Sequence, residues 1–315
     1  MARLKRAVVT GGAGFIGSHL VENLIKNRNF EVFVVDIKIN PLSYFSKQDL
    51  KSKSKFKIVD IRDRKKIDTF LKSTRPNYIF HLAAEPIVEK SYKDPHSAFE
   101  TNIMGTVNIL ESSRRIRSIE SIIVASSDKA YGKTKTAYTE ESPLKGDHPY
   151  DVSKSCADLI TQTYVRTYDL PVIITRFGNV YGEGDFHFER IIPGICRAIK
   201  NRTTLRIRSD GTYVRDYLYV KDVVDGYLFL LKNFKRHRGE AFNFSSSDTL
   251  SVTELIKEAE KILNVRIPYQ ILNIARNEIP FQHLDDQKIR KLGWRNGYSL
   301  KSSLPPVLKW YKKRV

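Results

Sequence analysis

Cysteine is nearly absent from this sequence, with two residues in 315. A disulfide framework is excluded, and a reducing compartment, the cytoplasm, is the expected setting. Cys156 and Cys196 are isolated, and the seven histidines show no metal-ligand spacing, so no metal site is expected. His81, at a strand end, reads as a packed, hydrogen-bonded histidine. No apolar run approaches the roughly 18–20 residues that span a bilayer. Arg3, Lys5 and Arg6 precede an apolar stretch in the manner of a signal peptide. Gly11, Gly12, Gly14 and Gly17 interrupt it and no small-residue cleavage site follows, so no secretion signal is expected. Internal repeats, low-complexity segments and flexible linkers are also missing.

Acidic residues are the remaining shortage. Thirty-five Asp and Glu face 54 Lys and Arg, a formal net charge of +19. Such an excess implies affinity for an anion: nucleic acid, a membrane surface or a phosphorylated small molecule. The basic residues are dispersed among acidic ones, and the clusters Lys51–Lys55 and Lys312–Arg314 are short. Zinc-finger spacing, an aromatic RNA-binding signature and a basic heptad helix are lacking. No specific nucleic-acid or membrane partner is therefore expected, and the charge alone selects no function.

What is present is enough for a large core: 41% hydrophobic and 11% aromatic residues exclude global disorder. Short apolar runs recur at residues 6–10, 32–35, 56–59, 78–82, 121–125 and 172–175. Helical periodicity separates them, at 15–26, at 63–72 with a cap near Asp63, and at 95–115. Continuous apolar strands alternating with helices predict a parallel sheet covered on both faces, a doubly wound α/β (Rossmann) fold. After about residue 178 helices dominate, at 191–200, 220–231, 252–263, 286–292 and 300–312. The expected organisation is a dinucleotide-binding domain over 1–178, carrying the catalytic residues, and a smaller mixed α/β substrate lobe over 179–315, partly interleaved with it.

Gly11-Gly12-Ala13-Gly14-Phe15-Ile16-Gly17 falls between the first strand and the first helix. Gly11 permits the tight turn, Gly14 the close approach of a pyrophosphate, and Gly17 the packing of helix on strand. Asp36, at the end of the second strand, is placed for an adenosine ribose and would repel a 2′-phosphate, which favours NAD over NADP; Lys38 softens that preference. Asp60 and Ile61 follow the third strand, where Asp60 either reaches the adenine edge or caps a helix.

Tyr150 and Lys154, four apart, share one helix face. An ammonium beside a phenol is expected to lower its pKa toward neutrality, making a proton acceptor for a hydroxyl whose carbon loses hydride. Ser127, just past the fifth strand, would hydrogen-bond the same hydroxyl.

These motifs, with His81-Leu82-Ala83-Ala84, Asn102, Ser126-Ser127-Asp128-Lys129-Ala130-Tyr131-Gly132, Arg176-Phe177-Gly178-Asn179-Val180-Tyr181-Gly182, Arg215-Asp216-Tyr217 and Leu292-Gly293-Trp294, resemble the extended short-chain dehydrogenase/reductase family from residue 6 to about 312. The members acting on nucleotide sugars are the most similar. The resemblance implies a bound NAD cofactor, contacted by Gly11, Gly14, Phe15, Ile16, Gly17, Asp36, Asp60, Ile61, Leu82, Ala83, Ala84, Asn102, Tyr150 and Lys154. Ser127-Asp128-Lys129 resembles the acid–base site of sugar-nucleotide 4,6-dehydratases. It implies Asp128 as the acid that protonates the leaving C6 hydroxyl and Lys129 as the base at C5, a lysine that must be neutral when it acts. The implied product is a 4-keto-6-deoxy sugar nucleotide. Arg215 is implied on the substrate diphosphate, and Glu85, Asn179, Arg190, Arg208 and Arg276 elsewhere on the substrate; for Arg190, Arg208 and Arg276 a structural or surface arginine is the competing explanation. The sequence is most similar to CDP-glucose 4,6-dehydratases, with UDP-N-acetylglucosamine and GDP-mannose open as substrates. The helices at 95–115 and 150–168 resemble those that pair into an intersubunit four-helix bundle, implying a homodimer. A 4-epimerase on the same fold, and a non-catalytic dinucleotide- or RNA-binding protein, are the alternatives.

Overall fold

Val8, Val9 and Thr10 are fully or almost fully shielded from solvent because their strand, β1 (Lys5–Thr10), runs through the middle of a seven-stranded sheet. In the computed structural model, which describes residues 4–274 and 279–314, the other strands are β2 (Phe30–Asp36), β3 (Lys55–Ile58), β4 (Tyr78–His81), β5 (Ser121–Ala125), β6 (Val172–Phe177), β7 (Asn179–Tyr181), β8 (Leu205–Ile207), β9 (Val214–Tyr219), β10 (Ala241–Phe244), β11 (Thr249–Ser251) and β12 (Tyr269–Ile271). The large sheet has the order β10-β6-β5-β4-β1-β2-β3, and every pairing in it is parallel. A parallel sheet needs helices on both faces, which explains the unbroken apolar runs.

The seventh strand is a departure from the six expected. Ala241–Phe244 carries Asn243 in its centre, so it shows no continuous apolar run. Asn243 is fully buried, accepting from the Tyr131 hydroxyl at 2.7 Å and donating to the Tyr138 carbonyl at 2.9 Å. Hydrogen bonding replaces hydrophobicity as the reason this strand can be buried.

One layer packs helices Phe15–Lys26 and Val220–His237 on the sheet, with Leu20, Leu24, Val223 and Tyr227 against Val9, Val34 and Phe80. The opposite layer packs helices Arg64–Thr74, Gly105–Ser113 and Pro149–Tyr168 over Val8, Val35, Ile79 and Ile122. Asp63 caps the first of these by accepting from the Lys66 N–H at 3.0 Å. The helix expected over 95–115 runs from Pro95 to Ser113 but changes its hydrogen-bonding pattern on the way. A π-helical stretch, Glu100–Met104, joins Pro95–Phe99 to Gly105–Ser113 and carries Asn102 on its inner side.

The chain from β7 onward adds two small sheets: β11-β9-β7, mixed in direction, and β12-β8, parallel. Helices Ile191–Asn201, Val252–Leu263 and Leu300–Arg314 close a separate core over them through Ile195, Leu255, Ile256, Leu304 and Tyr311. The Val220–His237 helix and β10 return to the large sheet, so the two halves of the sequence interleave.

Candidate active site

The C-terminal ends of β1, β2, β4, β5 and β6 open on one cleft of about 1120 Å³. In an open parallel sheet this is the edge where connections diverge and leave room for a ligand. The first turn after β1 builds one end of it. Gly11 has φ +68°, and a Cβ there would lie 2.8 Å from the Ala83 backbone. A Cβ on Gly17 would lie 2.2 Å from the Gly11 carbonyl oxygen. Helix Phe15–Lys26 begins after Gly14 without a side-chain cap, so its first N–H groups face the cleft's glycine-lined end unclaimed by any side chain. Asp36 terminates β2, its carboxylate accepting from the Ala13 N–H at 3.0 Å and the Ile37 N–H at 2.8 Å. Burial raises the Asp36 pKa, opposed by those backbone N–H groups. A glycine cradle with no room for a Cβ, an uncapped helix start and a fixed carboxylate at the next strand end fit the pyrophosphate and ribose of NAD.

Asp60 neither caps a helix nor stands alone. Arg62 grips it through Nε at 3.1 Å and Nη2 at 2.7 Å and holds its carboxyl below the usual range. Ile61, Leu82, Ala83, Ala84 and Glu85 line the cleft beside it. Asn102 stands behind the residues that line it. Its side-chain oxygen accepts from the Glu85 N–H at 2.7 Å, and its nitrogen donates to the Glu85 carbonyl at 3.2 Å and the Ser153 hydroxyl at 2.8 Å. It pins the loop after β4 to the helix carrying Tyr150. His81 is likewise buried, with its ring nitrogens on the hydroxyls of Thr10 at 2.8 Å and Thr106 at 3.1 Å. Among the described residues no group of three His, Cys, Asp or Glu side chains is placed to hold a metal ion.

Ser127, Asp128, Lys129, Tyr150 and Lys154 all line the middle of the cleft. The Ser127 hydroxyl donates to Asp128 Oδ1 at 2.9 Å and accepts from the Lys129 N–H at 3.2 Å. Burial pushes the Asp128 carboxyl up, opposed chiefly by the Lys129 charge. Lys154 donates to the Ala125 carbonyl at 3.2 Å, and burial lowers it to about 8. Tyr150 moves opposite to expectation. Burial raises the phenol pKa, and the groups that oppose this are Arg190 and the Ser127 hydroxyl. The protein's own groups leave the buried phenol protonated, because desolvation outweighs its polar neighbours.

Toward the other end, Asn179, Arg190, Arg208 and Arg215 line the cleft. The Asn179 Nδ2 is buried without a hydrogen-bond partner among the described residues. Arg190 pairs with the buried Asp185 at 3.0 Å, and Arg208 with Glu89 at 3.1 Å. Arg215, largely buried, donates to the Val214 carbonyl at 2.8 Å. Arg276 lies outside the described residues. Sequence reasoning missed two neighbours of the reacting centre. His148 precedes the Tyr150 helix and sits 3.3 Å from Asp151 Oδ1; its position directly before Pro149-Tyr150 was a usable signal. Gln282, bonded to both Asp128 and Lys129, stands in no recognisable motif.

A trifunctional protein of Arabidopsis thaliana that includes UDP-glucose 4,6-dehydratase activity in its name is 31% identical over 98% of this chain. The chain spans about half (47%) of that relative's length. The CDP-glucose 4,6-dehydratase of Salmonella typhimurium is 30% identical, over 98% of this chain and 90% of that protein. Among solved structures, UDP-glucuronic acid 4-epimerase from Bacillus cereus, in complex with UDP-glucuronic acid and NAD, superposes with a TM-score of 0.89 at 27% identity, covering 98% and 99% of the two chains. The model of the NAD dependent epimerase/dehydratase family matches residues 7–244, and the chain belongs to that family.

Proposed function

We propose that this protein is a nucleotide-diphosphate-sugar 4,6-dehydratase, forming a 4-keto-6-deoxy sugar nucleotide from CDP-glucose as the favoured substrate. One observation carries the reading: a buried carboxyl of raised pKa, Asp128, and an ammonium, Lys129, sit directly beside Ser127 and Tyr150 in the cleft. Oxidation at the sugar C4 needs only a serine, a tyrosine and a lysine. Elimination of water across C5 and C6 needs an acid and a base in addition.

Held by Gly11, Gly14, Gly17 and Asp36, NAD would supply reversible two-electron chemistry between C4 and C6, so no external oxidant would be consumed. Ser127 orients the O4 hydroxyl and Tyr150 takes its proton as the phenolate, a form that would need the positive charges of Lys154 and of bound NAD to offset its desolvation. Lys129 removes the C5 proton that the 4-ketone has acidified and returns it to C5 when C6 gains hydride. Asp128, whose hold on a proton burial strengthens, passes that proton to the leaving C6 hydroxyl. Arg215 meets the diphosphate, with Glu85, Asn179, Arg190 and Arg208 along the sugar and nucleoside. Residues 1–178 form the NAD-binding and catalytic unit and 179–315 the interleaved substrate lobe. The preference for CDP rests on Ser127-Asp128-Lys129 and on the Salmonella relative.

The enzyme works as a homodimer in the cytoplasm. Met104 and Leu159, each about half exposed on the helices expected to pair between subunits, support a second copy there. No described helix is long and apolar enough to cross a membrane.

Incubation with CDP-, UDP-, GDP- and dTDP-sugars, with products read by mass, tests the proposal. A product lighter by one water, formed without added oxidant, is expected. The likeness to a 4-epimerase structure favours 4-epimerisation as a second reading. A product of unchanged mass and inverted C4 would establish that reading instead.

A further inference from the structure

We propose that Gln282 is a positioning residue that bridges Asp128 to Lys129 and dictates which of their atoms present protons to the cleft. Its side-chain oxygen accepts from the Lys129 ammonium at 3.1 Å, and its side-chain nitrogen donates to Asp128 Oδ2 at 3.0 Å. An ammonium has no lone pair, so Lys129 can meet only the amide oxygen, and the amide nitrogen must then face Asp128. Gln282 is 1% exposed, so water does not compete for either contact.

The residue is held where it is by the strand that carries a cleft arginine. The Gln282 N–H donates to the Val214 carbonyl at 3.1 Å. The next two residues are tied to Asp216: His283 Nδ1 meets Oδ1 at 2.7 Å, and the Leu284 N–H donates to Oδ2 at 2.8 Å. Asp216 also accepts from the Ser245 hydroxyl at 2.8 Å and the Thr249 hydroxyl at 2.7 Å. Asp216 stands beside Arg215 in β9, so one strand sets both the arginine and the bridge.

The bridge has a consequence for protons. With the Gln282 nitrogen donating to Oδ2, a protonated Asp128 carries its proton on Oδ1, against Ser127. The hydrogen bond between them reverses: Asp128 donates, Ser127 accepts, and the Ser127 hydroxyl proton turns toward the cleft; the acid acts on the C6 hydroxyl when its Oδ1–H swings from Ser127 to that oxygen. Recharging Asp128 returns Ser127 to donating. A neutral Lys129 keeps one N–H on Gln282, which leaves its lone pair directed elsewhere. Acid, base and serine are thus oriented through one amide. The charges acting on Asp128 are Lys129 and Arg215, which favour its ionised form, and Asp216, which opposes it; Tyr138, Tyr150 and Asp151 in turn feel the Asp128 charge.

The inference rests on the dehydratase reading, and the test separates the two. Full-length, NAD-loaded wild type, Gln282→Met and Gln282→Glu are compared for bound NAD, thermal midpoint, kcat and KM of water loss, and the pH profile of kcat. Methionine keeps the volume without the two hydrogen bonds. Its kcat should fall about 10²-fold, the cost of a small misplacement of reacting groups, with KM and NAD content unchanged. Glutamate keeps the contact to Lys129 and replaces the donor facing Asp128 by a like charge, so its profile should move to higher pH. Wild-type kcat in Gln282→Met, with the wild type dehydrating normally, overturns the inference alone. A fall in kcat that tracks loss of NAD or of the folded state also overturns it, since that is a packing role. If Gln282→Met does not fold, an unshifted profile in Gln282→Glu overturns it. Absence of a dehydrated product from the wild type with every nucleotide overturns the functional reading and the inference together.

Discussion

Replacing Asp128 with asparagine changes one atom in a buried network and has two consequences of opposite kind. The asparagine oxygen can accept from Gln282 Nε2, where Asp128 Oδ2 accepts now at 3.0 Å. The asparagine nitrogen can donate to the Ser127 oxygen, now 2.9 Å away. This is the hydrogen-bond pattern of the protonated acid, and no buried donor is left facing another, a fault that would cost about 1–3 kcal/mol. The variant should fold and keep its NAD. Burial raises the Asp128 pKa in the folded protein. The folded state therefore holds this proton more tightly than the unfolded chain, and wild-type stability falls as pH rises from about 3.9 through the raised value. Asparagine has no proton to lose, so its stability relative to wild type should improve as pH rises across that window. Dehydration behaves otherwise. A positioned general acid contributes about 10²–10⁴-fold, and its removal should cost about 3–5 kcal/mol of barrier. The assays are urea unfolding at pH values across the window and steady-state water loss followed by product mass. Near-normal water loss in Asp128→Asn refutes the assignment of the acid. A stability difference that does not change with pH refutes the account of its burial.

Three further outcomes follow from the same geometry. Gly17→Ala places a Cβ 2.2 Å from the Gly11 carbonyl oxygen and 2.7 Å from Gly12 Cα; the purified variant should lose its NAD, and wild-type nucleotide content in the denatured extract would contradict the cradle. Asp158 grips the buried Arg176 through two contacts of 2.8 and 2.9 Å behind the Tyr150 helix. Asp158→Ala strands that guanidinium, and urea unfolding should show a loss of about 3–5 kcal/mol; a loss below about 1 kcal/mol, the scale of an exposed pair, counts against it. Burial pushes Asp151 up to about 7, with Lys129 opposing. Stability should fall as pH climbs from about 4 to about 7 and level off above. Asp151→Asn should remove that fall, and parallel wild-type and variant curves would show that Asp151 does not cause it.

Six of the seven strands of the large sheet were legible because each is an apolar run between helices, and a parallel sheet buries both faces. The Asp63 cap was legible because its interaction spans three residues. Ala241–Phe244 was not, because its central Asn243 earns burial through partners at Tyr131 and Tyr138, about a hundred residues away. The π-helical turn at Glu100–Met104 was hidden as well: it lies inside an unbroken helical run, and its Asn102 bonds to Glu85 and Ser153, which are distant in sequence.

In the site, the sequence by itself determined what local spacing can encode: the glycine turn, Asp36 a strand later, Ser127-Asp128-Lys129, and Tyr150 one helical turn before Lys154. These act through backbone neighbours or a shared helix face, so short-range order suffices. Tertiary structure decided the rest. It turned Asn102 onto Glu85 and Ser153 and brought Gln282, more than 150 residues along the chain, between Asp128 and Lys129. It also reversed the direction of the Tyr150 pKa, since a local lysine can be read from spacing but the water excluded by a folded core cannot. Desolvation is a property of everything packed around a group, and no stretch of sequence contains it.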